Sequence, residues 1–277
     1  MKDLSNENVL HVRNGDIEYL QFRRLLEYEH DIKHAYGLKP ANYKTRGDGV
    51  DLEVIKRSVN NYKKLCESIG VDYNNVIKPN QQHTNVIKIV EEAENGISYQ
   101  SEKFRNTDGL VTNKNNVVLA TTNADCILLM FFDPVKKVIA NVHSGWKGTF
   151  QKIGVKAVEK MVEEFSSNPK DIICCICPSI RKCHFEVEKD VKDMCESVFS
   201  YIDEIDKIIE YSGKKDGVDK WRIDTVLINK IMLQEIGIVS ENIIDSGICS
   251  VCNCNEIHSY RVEKKGYGLN SAIISLE

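Results

Sequence analysis

A cysteine and a histidine stand at the two open ends of one apolar hairpin pattern, between Val117 and Thr149. Ile127 to Phe132 is an unbroken apolar run, Asp133-Pro134 is a turn signal, and Val138 to Val142 is a second apolar run. Two short apolar runs joined at a Pro-containing turn predict a buried β-hairpin. Cys126 precedes the first strand and His143 follows the second. If they pair symmetrically about the Pro134-Val135 bond, their Cβ atoms stand about 4.5–5.5 Å apart. A thiol and an imidazole at that distance suit a metal site or a nucleophile with its base. They also suit a core thiol beside an unrelated ring. His83, in KPNQQHTNV, is a third candidate: it follows Pro79 and precedes a strand, on a loop that can present a ligand. Two histidines and one cysteine with an open fourth position form the pattern of catalytic zinc. Spacing alone does not bring His83 to the other two.

These residues need a scaffold of ordinary globular character. Of 277 residues, 42% are hydrophobic and 28% charged, within reach of one large α/β unit. A formal net charge of −4 excludes a polycationic nucleic-acid binder. MKDLSNENVLHV lacks the apolar core of a signal peptide. No apolar run approaches the ~18 residues of a membrane helix. Ten cysteines without a secretory signal read as reduced thiols of a cytoplasmic protein.

The steps of three and four between Leu52, Ile55, Val59, Tyr62, Cys66 and Ile69 predict a helix from Asp51 to Ile69, stopped by Gly70. Phe150, Ile153, Ala157, Val158, Met161, Val162 and Phe165 mark a second helix. A third is expected from Asp224 to Ile236, capped by Asp224 and ended by Gly237. Strands are expected at Asn85–Val90, Val117–Thr121, Ile172–Cys177, Asn242–Ser246 and Ala272–Leu276. Polar Asp203–Lys220 reads as an exposed connection. Helices and strands mix without a steady βαβ rhythm, so the expected class is α+β, in layers, as a single domain over residues 1–277.

QQHT, DGLVT with ADC, HSGWKGT, CPSI followed by FEV, and the final HSYR run from about His34 to Leu276. Together they resemble the laccase-domain family of multispecific purine nucleoside phosphorylases, a bacterial family formerly described as polyphenol oxidoreductases. The resemblance implies a layered α/β sandwich with mixed β-sheets. It implies phosphorolysis of adenosine, inosine, guanosine and methylthioadenosine, and hydrolytic deamination of adenosine. It implies zinc held by His83, Cys126 and His143, which are then also the catalytic set. The expected partners are small purine nucleosides and phosphate, with no nucleic acid and no membrane. Trp146 is expected to stack on the purine, and Lys147, beside the turn glycines Gly145 and Gly148, to meet phosphate at a helix N-terminus. The chain departs from the family in three places. HAYGLKP replaces an Arg-containing HGxxTR start, which leaves Arg46 as the substitute anion-binding residue. Cys177 stands where the family has a Gly before PSI, and Gly268-Leu269 replaces a Gly-Arg pair.

Other residues have two readings each. Cys174, Cys175 and Cys177 suit a buried strand. Cys249-x-x-Cys252-x-Cys254 has the look of a metal-ligand run, but a zinc site needs a fourth ligand. Cys183, His184 or His258 supplies one only if the fold brings it near, so free, metal-less thiols are expected there. Glu186 is a general acid or a salt-bridged surface residue. Asp125 is near enough to Cys126 in sequence to orient the ligand set, or its side chain points away from Cys126 on an extended strand.

Two other activities compete, as does a non-catalytic role as a cell-envelope or partner-binding module. A copper-dependent polyphenol oxidoreductase needs a trinuclear cluster with many histidines, and the chain has seven and no His-x-His pair. A single copper in the same triad is chemically compatible with its nitrogen and sulfur ligands. A metal-free Cys–His hydrolase would use Cys126 as nucleophile and His143 as base.

Overall fold

Strands buried on both faces stack the chain in layers. The computed structural model describes residues 2–47, 50–93, 102–203 and 205–277. One six-stranded sheet runs in the order β1 (Val9–Asn14), β2 (Ile17–Phe22), β3 (Ile32–Gly37), β15 (Asn270–Leu276), β7 (Val118–Asn123) and β4 (Val76–Ile77). A second runs β14 (Ile243–Asp245), β10 (Ile173–Ile176), β8 (Ile127–Asp133), β9 (Val138–Ser144), β6 (Gly109–Thr112) and β5 (Ile87–Ile89). Both sheets are mixed: β4–β7, β10–β14 and β5–β6 pair parallel, the other neighbours antiparallel. A third, smaller sheet joins β11 (Glu186–Val187), β13 (Val218–Ile223) and β12 (Ile209–Lys215).

Successive side chains of a strand point to opposite faces, and here both faces are covered. Leu128, Met130 and Phe132 of β8 meet Ala272, Ile274 and Leu276 of β15 in the core between the two large sheets. Leu129 and Phe131 turn the other way, onto Ile153, Ala157 and Met161 of the helix Ile153–Phe165 and onto Val226 and Leu233 of the helix Thr225–Glu235. On the far side, Ile273 and Ala120 pack on Tyr62, Leu65 and Cys66 of the helix Leu52–Ile69. The order of layers is helix, sheet, sheet, helix. Among the described residues, no helix is long and apolar enough to cross a membrane.

The expected helices form, with adjustments. Asp51 caps the first by accepting the Val54 N–H at 2.8 Å, and Gly70 ends it in the left-handed conformation. Leu52, counted in its apolar stripe, is exposed because the first turn precedes the sheet; full burial begins at Ser58. The second breaks at Lys152 (φ 59°) into the helices Trp146–Phe150 and Ile153–Phe165. Asp224 caps the third through Leu227. All five expected strands are present, as β5, β7, β10, β14 and β15.

Asp203–Lys220 is the correction. It contains a short helix, Ile205–Ile208, and most of the β12–β13 hairpin, not an irregular connection. Its strands are mostly polar and half-exposed, so they carry no hydrophobic alternation. The hairpin signal was the Asp216-Gly217 pair, which turns with both φ positive (50° and 78°).

Replacing Phe132, fully buried between the sheets, by Ala is expected to cost about 3–5 kcal/mol. Urea unfolding measures this. An unchanged midpoint would contradict the layered core.

Candidate functional site

Both sheets contribute to one site at their seam. His83 lies in the crossing from β4, in the first sheet, to β5, in the second. Cys126 lies in the crossing from β7 to β8, again from the first sheet to the second. His143 is on β9.

The hairpin exists, but its register is two residues from the symmetric expectation. Ile127 pairs with Ser144 and Leu128 with His143. The turn explains the shift: the Asp133 carboxylate accepts the N–H groups of Val135 and Lys136, which centres the hairpin between those two residues. Cys126 is therefore a diagonal neighbour of His143, on the same face, within reach of a long side chain. His83 Nε2 lies 3.8 Å from Cys126 Sγ, and the two imidazoles meet edge to face at 4.9 Å between centroids. The three ligand atoms all lie within 4.8 Å of one another. A tetrahedral ion with bonds of about 2.0–2.3 Å separates its ligand atoms by roughly 3.3–3.8 Å. This donor set fits a metal ion, with one position left over.

Asp108, from the DGLVT motif, organises the set. It is fully buried, and its Oδ1 lies 2.8 Å from His143 Nδ1. The same carboxylate accepts the backbone N–H groups of Gln82, His83 and Thr84 and the Thr84 hydroxyl. With Nδ1 donating to Asp108, His143 keeps Nε2 as its ligand atom. The bonds to 82–84 hold His83 at a φ of 60°, a left-handed conformation that a non-glycine residue adopts only when its surroundings enforce it. Sequence reasoning passed over Asp108; its signal was the motif itself.

The charges follow from these contacts. Burial pushes the Cys126 thiol up, but His143 and His83 outweigh it and bring it down to about 6. Burial pushes His143 down, and the Cys126 and Asp108 charges raise it to about 9. Asp108 is opposed by burial yet held at about 2 by His143 and Thr84. The sulfur is thus poised as a thiolate, the form that ligates metals.

Two backbone positions leave no room for change. A Cβ on Gly145 would stand 2.7 Å from His83 Cδ2 and 3.1 Å from Cys126 Sγ. Asp125 has a φ of 86°, and its carboxylate accepts Ser250 Oγ at 2.6 Å and the Arg261 N–H at 2.7 Å. It ties the segment with Tyr260 and Arg261 to the metal-ligand crossing.

A cavity of about 730 Å³ opens over the triad. All three candidate ligands line it, as do Arg46, Lys78, Trp146 and the aromatic rings of Phe185, Tyr260 and Tyr267. Lys78, unmarked by the sequence, is buried and gives hydrogen bonds to the Tyr43 carbonyl and Thr45 Oγ1. Burial, with the charge of Arg46, lowers it to about 7. Lys147 is exposed outside the lining, its ammonium over the Trp146 ring at 5.5 Å. The helix behind it, Trp146–Phe150, has only five residues. Lys147, expected to meet phosphate, thus stands on the solvent side of the turn, outside the cavity lining. Glu186 is half-buried on β11, accepts from Ser212, and is also absent from the lining.

Cys174, Cys175 and Cys177 are buried, and burial pushes all three thiols up. The expectation of isolated thiols at Cys249 and Cys252 assumed no further ligand nearby. The fold brings Cys183 and His184 to them. His258 goes elsewhere, to Glu263 and the Ala41 carbonyl.

The chain belongs to the family described as multi-copper polyphenol oxidoreductase laccase, which matches residues 45–277. It is 28% identical over 229 residues to purine nucleoside phosphorylase YlmD of Bacillus subtilis, covering 82% of this chain and 78% of that one. Adenosine deaminase RL5, from an unknown prokaryotic organism, is 26% identical over 75% of this chain and 76% of its own. In structure, hypothetical protein YfiH of Bacillus licheniformis superposes with a TM-score of 0.82 at 24% identity, over 96% of this chain and 99% of that one. That likeness confirms the mixed-sheet fold.

Replacing Asp108 by Asn is expected to weaken metal binding about 10–100-fold while leaving the chain folded. Metal titration of the stripped protein, with circular dichroism as the control, checks it. Unchanged affinity would remove Asp108 from the role given above.

Proposed function

We propose that this chain is a zinc-dependent purine nucleoside phosphorylase acting on adenosine, inosine, guanosine and methylthioadenosine, and that the same site deaminates adenosine. One observation carries the reading. His83, Cys126 and His143 converge on a cavity lined in part by aromatic rings and large enough for a nucleoside, in a chain whose relatives are named for these two activities. Single-domain organisation over residues 1–277 and a cytoplasmic setting complete the proposal. Ten cysteines without a disulfide suit a reducing compartment.

His83 Nε2, Cys126 Sγ and His143 Nε2 would hold the zinc. When bound, zinc supplies Lewis acidity, which makes water ionise near neutral pH. Trp146, Phe185 and Tyr260 offer the apolar faces on which a purine stacks. In phosphorolysis, a phosphate oxygen bonds to the anomeric carbon as the bond to the purine nitrogen breaks. The base leaves with that electron pair and takes up a proton. Of the cations in the cavity wall, Arg46 and Lys78 are suited to hold phosphate, while the Arg261 guanidinium is engaged by the His184 and Glu186 carbonyls. In deamination, water adds at the purine carbon bearing the amino group, and ammonia departs. The copper oxidase reading is weaker on donor chemistry: the triad offers two histidines, where a trinuclear cluster needs many more.

Purified protein should release hypoxanthine from inosine only with phosphate present, and convert adenosine to inosine without it. Replacing His143 by Ala should bring both activities close to background. Rapid phenol oxidation by zinc-loaded protein, with no purine released from any nucleoside, would sink the proposal.

Replacing Lys78 by Met should raise the phosphate KM roughly 10–100-fold, the worth of a hydrogen bond to a charged group, and slow deamination less. In the native protein the phosphate KM should climb as pH rises through about 7, because Lys78 loses its proton there. Equal loss of both activities, with a flat phosphate KM, would remove Lys78 from the phosphate site.

A further inference from the structure

A second set of ligand atoms lies outside the cavity lining, where two turns meet. Ser179 and Cys249 form an isolated parallel bridge, with Ser179 donating to the Ile248 carbonyl and Ser250 to the Ser179 carbonyl. The turn at Arg181–His184 closes by hydrogen bonds from the His184 and Phe185 N–H groups to the Arg181 carbonyl. The turn at Cys249–Asn253 closes by two bonds from Asn253 to the Cys249 carbonyl. Each turn delivers two side chains to one point.

The distances are those of a tetrahedron. Cys183 Sγ lies 3.6 Å from Cys249 Sγ and 4.0 Å from Cys252 Sγ. His184 Nδ1 lies 3.1 Å from Cys183 Sγ and 3.6 Å from both Cys249 Sγ and Cys252 Sγ. Around one ion with metal–sulfur bonds of about 2.3 Å and a metal–nitrogen bond of about 2.05 Å, sulfurs stand roughly 3.8 Å apart and sulfur and nitrogen roughly 3.6 Å. A disulfide needs its sulfurs about 2.05 Å apart, and no pair here meets that. Core packing is equally unsuited, since Cys183 and Cys252 are exposed.

We propose that Cys183, His184, Cys249 and Cys252 bind a structural zinc ion, separate from the one assigned to the cavity. Three sulfurs and one nitrogen close the coordination sphere, the composition of a structural rather than a catalytic zinc site. The ion staples two turns on which the cavity wall leans. Arg261 donates from Nη1 to the His184 carbonyl and from Nη2 to the Glu186 carbonyl, and Ser250 donates to Asp125. Cys254 and His258 take no part.

Metal analysis of full-length protein, grown with zinc and purified with reductant, tests this. Native protein should hold about two zinc ions per chain, and Cys126→Ala and Cys252→Ser about one each. Cys254→Ser should keep both. Cys126→Ala loaded with cobalt should show the near-ultraviolet thiolate-to-metal bands of the remaining site. Should Cys252→Ser fail to fold, native protein alone decides. Alkylation followed by mass spectrometry should find Cys183, Cys249 and Cys252 protected until a chelator is added, and Cys254 labelled at once. One zinc per native chain with those three thiols labelled immediately would overturn the proposal, as would a disulfide between Cys183 and Cys249. None of these readouts requires turnover, so failure of the nucleoside assignment would leave the result intact.

Discussion

The Asp108 carboxylate is the contact on which the candidate active site depends. It is buried beneath two histidines from different parts of the chain, and it fixes each by a different means. For His143 it sets the ring, by accepting the Nδ1–H hydrogen bond and leaving Nε2 outward. For His83 it sets the backbone, by collecting successive N–H groups from 82–84. A buried charge is costly unless it is fully satisfied, and Asp108 achieves this only when both histidines are in place. The negative charge in turn raises His143, and His143 lowers Cys126. Ligand geometry and ligand protonation thus have one origin.

Around this centre the fold contributes rigidity rather than chemistry. β8 and β9 are buried on both faces, one against the opposite sheet and one against helices. A hairpin held from two sides cannot slip register without exposing every side chain on both. The aromatic walls of the site come from outside the two large sheets: Trp146 and Tyr260 each begin a short helix, and Phe185 precedes β11.

Much of this was legible in the chain, for physical reasons that differ by element. The helices Leu52–Ile69 and Thr225–Glu235 announced themselves because a capping Asp and a closing Gly bracket each apolar pattern. β5 and β14, half-buried and interrupted by Lys88 and Asp245, showed only as short apolar segments, while β7, β10 and β15 were visible because they are fully buried and mostly apolar. β1 and β12 were not, since their residues are largely polar or half-exposed and carry no period. The triad was readable only partly from spacing: the hairpin linked Cys126 to His143, while His83 needed the family motif. The assumed register was wrong by two residues, since a Pro134-centred turn ignores what the Asp133 side chain does to the turn. Lys78, Asp108 and the meeting of Cys183 and His184 with Cys249 and Cys252 depend on contacts between distant segments. No local pattern encodes those.

The position of the triad at the seam has a mechanical meaning. His83 and Cys126 each sit where the chain passes from one large sheet to the other, and His143 belongs to the second sheet alone. An ion shared by the three is therefore a cross-sheet clamp. It resists shear between the layers, and shear between the layers strips it of ligands. Because such an ion binds the folded chain and not the unfolded one, its affinity adds to the resistance of the whole sandwich to heat. With an ion held there, metal occupancy and sheet alignment would be two faces of one equilibrium, and a distant packing defect that tilts one sheet would be felt as a loss of metal.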